Sequence, residues 1–185
     1  CGLEQQPATH FVSHAGKFDF SAVVAVLREF IDSEGGNEDT FRFWFNYSTL
    51  SQHDAASGKM DSNFWFRCFK DGIAEINHTV AVLAPWQAPV NLNRMWCVYE
   101  IFESVRSGST LSFVIPKRDR DEIRANPVEN IDRLAKAIFA IDVEIAEGGG
   151  SDRDRILDEA RTVGFERLNA IVRSKMLEWL VQIGE

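Results

Sequence analysis

TVAVLAPWQAPVNLNRMWCVYEIFESVRSGSTLSFVI, residues 79–115, decides the fold. Thr79–Ala84 is a continuous apolar run, the mark of a strand buried on both faces, and Pro85 ends it. From Asn93 to Ser107 the apolar residues take helical spacing, with Met95, Val98, Phe102 and Val105 on one stripe. Thr110–Ile115 is a second apolar run, stopped by Pro116. Strands joined by a single helix must be parallel, with a right-handed crossover.

The opposite side of that helix is the unusual one. Trp96, Glu100, Glu103 and Ser107 fall there, turned away from the expected core. A tryptophan one turn before a glutamate suggests an aromatic wall beside a carboxylate. The same residues also fit a solvated helix face with one stray Trp.

Working outward, the alternation repeats. Thr9–Ser13 reads as a short strand ending at His14-Ala15-Gly16, and Phe20–Ile31 follows as a helix. Thr40–Asn46 (TFRFWFN) alternates strictly, with Phe41, Phe43 and Phe45 on one side, which is a strand signature. Tyr47–Met60 is polar and long for a connection, as functional loops are. Asp61 or Ser62 then caps a helix bearing Phe66, Phe69, Ile73 and Ile76. The segment opened by Asn126-Pro127 is helical, Phe139–Ile145 (FAIDVEI) reads as a fifth, edge strand, and two further helices follow Gly148-Gly149-Gly150. The expected organisation is an α/β domain over residues 8–146 with a helical extension, 151–185, packed on it.

The bulk numbers agree with one well-packed unit. The 185 residues are 45% hydrophobic and include 14 Phe and 5 Trp, enough large side chains for a proper core. The net charge of −8 argues against a general binder of nucleic acid or anionic membranes. No apolar run approaches the ~20 residues that span a bilayer, and no secretion leader is read. The chain starts at Cys1, as an excised domain or processed fragment would. Cys1, Cys68 and Cys97 form no C-x-x-C pair, so a reducing compartment and a cytoplasmic location are expected. His10, His14, His53 and His78 lack ligand spacing, and no metal is expected. Cys97 has no base placed beside it and reads as packing.

Parallel sheets bind ligands at the carboxyl ends of their strands, where strand order reverses. That rule gathers Ser13, His14, Ala15 and Gly16 from the first strand, Phe45 and Asn46 from the second, and Trp86 from the third. Trp96 and Glu100 belong to the helix that starts at the same edge. The result is a crevice floored by His14 and Gly16 and walled by the two tryptophans, with Glu100 as its carboxylate.

In the order of its motifs the chain resembles a TIR domain. The matching residues are HFVSHA (His10–Ala15), FWFN (Phe43–Asn46) with its loop, TVAVLAP (Thr79–Pro85) and the W-C-x-x-E of Trp96, Cys97 and Glu100. The resemblance implies a flavodoxin-like parallel sheet of about five strands, an NAD+ glycohydrolase with Glu100 as catalytic residue, and homo-oligomeric assembly through the loop at 47–60. NAD+ would then be substrate, with no prosthetic group. Nicotinamide leaves NAD+ as a neutral base, so it needs no general acid. A carboxylate stabilises the oxocarbenium-like ribose left behind. Trp86 or Trp96 would stack on a ring of the dinucleotide, and backbone N–H groups at Ala15-Gly16 would face the pyrophosphate. The sequence departs from the family at Lys17, where an arginine is frequent, and at Asn46, where an aspartate is common. It also continues for some seventy largely helical residues past Pro116. Two other readings stand beside the enzyme: a non-catalytic TIR module acting by self-association, and a related hydrolase of another N-glycosidic bond.

Overall fold

The computed structural model describes residues 6–16, 19–45 and 62–184. Among these, four strands form one all-parallel sheet: β1 (His10–Ser13), β2 (Phe43–Trp44), β3 (His78–Val82) and β4 (Thr110–Val114), in the order β2-β1-β3-β4. The helices are α1 (Phe20–Ser33), α2 (Ser62–Ile76), α3 (Met95–Ser107), α4 (Lys117–Ala125), α5 (Pro127–Phe139), α6 (Gly150–Val163) and α7 (Phe165–Gly184). Asn46 and the loop at 47–60 lie outside the described residues, as does Lys17.

The period-2 pattern of the strands sorts side chains between two layers. Val12, Val80 and Val82 meet Val23, Val26, Leu27 and Phe30 of α1 on one face. Phe11 meets Phe69 and Ile73 of α2 on the other, where Ala81 joins the core built around α3. That core runs on through α5, α6 and α7 without a break, so Ile156, Leu168 and Val172 share it with Val98 and Phe102. Asn77 (φ 58) and Gly108 (φ 76) adopt the left-handed conformation that ends α2 and α3 and turns the chain into β3 and β4.

Three expectations need correction. The second strand is shorter than Thr40–Asn46: Asn37 accepts from the Asp39 N–H at 3.1 Å and draws Glu38–Thr40 into a 3-10 turn. The fifth strand is absent among the described residues. Phe139 closes α5, and the residues after it are held by α7 instead of a sheet ladder. The buried Asn169 side chain accepts from the Val143 N–H at 3.0 Å, and Arg173 donates to the carbonyl of Ile141 at 3.1 Å. Ile141 and Val143 sink into the core while Phe139 and Ile145 stay exposed.

The third correction concerns α3, which has no solvent side before its last turn, where Arg106 and Ser107 are exposed. Glu100, Glu103 and Ser104 are as buried as its apolar stripe, because α2, α6 and α7 close around the helix from beyond the sheet. Glu103 is tolerated there through Arg106 (2.6 Å), which also reaches Glu159 of α6 at 3.6 Å. Lys70 of α2 completes that charged tie at 3.3 Å from Glu159.

Candidate functional site

Strand order reverses between β1 and β3, since β1 leads to β2 on one side and β3 to β4 on the other. Ser13 closes β1 beside Ala81 of β3, on the face that α3 covers. Its hydroxyl donates to Glu100 Oε2 at 2.5 Å in a buried setting. One helical turn on, Ser104 Oγ donates to the Glu100 carbonyl (2.7 Å) and shares a second hydrogen bond with the Thr79 hydroxyl (2.8 Å). Ser13, Glu100, Ser104 and Thr79 thus form a polar seam inside the contact between α3 and the sheet. Every member is buried.

Burial sets the chemistry of this seam. Glu100 is 5% exposed, and desolvation pushes its carboxyl up to about 8, against the opposing pull of the Ser13 hydroxyl and the Arg94 guanidinium. Near pH 7 the carboxyl is therefore mostly protonated. The Cys97 thiol, on the same turn, is pushed far up by burial and by the neighbouring Glu100, so it is no nucleophile.

The other residues gathered from sequence are spread around the edge. His14 lies half-buried after β1 with its ring centroid 5.7 Å from that of Phe45; Ala15 is buried and Gly16 exposed in the following turn. These stand at the carboxyl edge with Ser13. The tryptophans do not wall a crevice. Trp86 is 1% exposed within the main core, its indole N–H donating to Glu122 Oε2 at 3.0 Å. Trp96 packs between α2 and α3, 4.8 Å from the Phe69 ring and 6.5 Å from Phe66. The Trp86 N–H finds a carboxylate, which removes its reason to stay at the surface, whereas Trp96 is partly buried against aromatic neighbours.

Ser104, Thr79 and Arg94 were missed from sequence. A signal existed: Glu100 and Ser104 are four residues apart on one helix face, and Ser13 and Thr79 are hydroxyls inside apolar strands. Among the described residues no group of His, Cys, Asp and Glu is arranged to hold a metal. A cavity of about 710 Å³ runs along β4, and none of the seam residues lines it.

Comparison with family models, with curated proteins and with solved structures finds no significant match.

Proposed function

We propose that this chain is a TIR-like hydrolase that cleaves the N-glycosidic bond to nicotinamide in NAD+, with Glu100 as its carboxylate and assembly of copies as its signalling output. The observation that carries the reading is a buried carboxyl with a strongly raised proton affinity at the strand-order reversal, bonded to the last residue of β1. Perturbed carboxyls cluster at functional sites, and parallel sheets bind ligands beyond the carboxyl ends of their strands where strand order reverses.

In the reaction the C1′–N bond breaks and its electron pair goes to the nicotinamide ring, neutralising it. Glu100 lies inside the contact between α3 and the sheet, so that contact must first open to admit the ribose; the ionised Glu100 then faces the cation, and water adds to C1′ as its proton passes to the carboxylate or to solvent. The bound cationic ring itself favours loss of the Glu100 proton and release of Ser13. Backbone N–H groups of Ala15 and Gly16 are offered to the pyrophosphate. Trp86 and Trp96, packed against Glu122 and Phe69 respectively, are not offered to the dinucleotide rings.

A second reading has its own support. A carboxyl 5% exposed and bonded to Ser13 is also a fastener between α3 and β1, as suits a non-catalytic module that signals by self-association. Incubation of concentrated protein with NAD+, with release of nicotinamide measured for the parent chain and for Glu100→Gln, separates the two. The enzyme predicts turnover that rises toward pH 8 and falls at least about a hundredfold in the variant. Turnover equal in both proteins removes Glu100 from the chemistry, and no turnover at any protein concentration leaves the self-associating module.

A further inference from the structure

The open edge of β4 is the least explained surface of the fold. In the β3–β4 ladder the Thr110 N–H bonds to Asn77 and the Val114 carbonyl accepts from Leu83. Parallel pairing then turns the N–H and C=O groups of Thr110, Ser112 and Val114 toward β3 and those of Leu111 and Phe113 outward. An outward row of this kind is a template for another strand. The edge is also walled. Val26 and Phe30 of α1 rise on one side, and Trp179 and Ile183 of α7 on the other, with the Trp179 ring 5.7 Å from Phe113.

The space between the walls is about 710 Å³. One more strand as long as β4 needs a slot of roughly 800 Å³ at ordinary strand and layer spacings. Within this chain the segment suited to fill it, Phe139–Ile145, is fastened elsewhere by Asn169 and Arg173. A second copy paired here would bring its own walls, Val26 and Phe30 with Trp179 and Ile183, against the same residues of the first, which disfavours it as the occupant.

Charge gives the slot a direction. At the amino end stands Glu34, the C-cap of α1. Lys175 is already paired with Glu178 at 2.7 Å. Arg120 and Arg124 come from α4, which begins three residues past β4, and neither makes an ion pair with a described carboxylate. We propose that the open edge of β4 accepts an extended segment of a partner protein, apolar residues followed by a carboxylate, as a fifth parallel strand whose acidic end rests on Arg120 and Arg124. Backbone pairing at Leu111 and Phe113 supplies the affinity, and the two walls and the arginines supply sequence preference.

The test uses the whole chain and a synthetic peptide, KVTVIVDE, blocked at its amino end, with amide exchange followed residue by residue. At saturating peptide the Leu111 and Phe113 amides slow, while the Ser112 amide, already bonded to β3, does not change. Replacing both arginines (Arg120→Glu with Arg124→Glu) weakens binding by about tenfold or more. Leu111→Pro, which removes an outward N–H from an edge strand, abolishes the protection at Phe113. The inference is overturned by an absence of protection at Leu111 and Phe113 at millimolar peptide, or by binding unaffected by the arginine changes. It is equally overturned if those amides become protected without peptide as protein concentration rises and a dimer forms, since the edge then belongs to a second copy.

Discussion

Glu100→Gln should make the protein more stable, and only above mildly acidic pH. The folded chain holds the Glu100 proton up to about pH 8, against an ordinary value of 4.5. The native state therefore binds more protons than the unfolded state across that window, so stability falls as pH rises through it. The contribution is whole below pH 4.5 and spent above pH 8. At pH 8 the difference between a group that must ionise on unfolding and one that never does is about 4 kcal/mol. A glutamine retains the oxygen that accepts from Ser13 but introduces amide protons that need acceptors, a cost of about 1 kcal/mol. The net expectation is a gain of about 3 kcal/mol at pH 8 and about zero at pH 5. In a chain of this size that is a rise in Tm of roughly 6–12 °C at the higher pH. Urea unfolding of both proteins at the two pH values measures it, since the linear extrapolation isolates the difference. A variant no more stable than the parent at pH 8, or a difference of the same size at both pH values, refutes the reasoning: Glu100 would then be ionised in the native state, with Arg94 as its counter-charge.

The histidines at the amino edge act in the opposite direction. His10 stacks on Phe41 at 4.8 Å and lies 4.4 Å from the His78 ring, and burial with His78's charge lowers it to about 4; its contribution is whole above pH 6.5 and lost as pH falls toward 4. After allowance for its partial exposure, His10→Phe should recover about 1–2 kcal/mol at pH 4.5 relative to pH 8 and shift the acid-unfolding midpoint downward, while at pH 8 it loses only the 2.8 Å hydrogen bond with Thr9. Asn169→Ala leaves the buried Val143 N–H without its acceptor and should cost about 2–3 kcal/mol in urea unfolding. Thr79→Val and Ser104→Ala should each cost about 1 kcal/mol, and together little more than either alone, because they share one hydrogen bond; fully additive losses would show that the seam is not a unit.

What the sequence reveals follows from what is local. β3 and β4 are legible because an apolar run stopped by a proline carries its own message, and the parallel arrangement follows from the single helix between them. FAIDVEI misleads because the same alternation serves a strand or a half-sunk loop, and the choice is made by Asn169 and Arg173, polar residues some thirty positions away. The stripe Met95, Val98, Phe102 is equally real, yet it says nothing about α2 and α6 closing over the other side. Periodicity reports on one segment, whereas the burial of an ionisable group depends on its partners: Glu103 is paired with Arg106, and Glu100 is bonded to Ser13. These two cases differ in a way that bears on function. Glu103 has a cation at salt-bridge distance, as a structural carboxylate in an interior needs. Glu100 has one hydroxyl and a more distant arginine, and a glutamine would make the same bond without the desolvated acid. A residue that a neutral isostere would serve better for stability is where local consistency has been given up, and that sacrifice, more than the shape of the edge, singles out Glu100 as the centre of the candidate site.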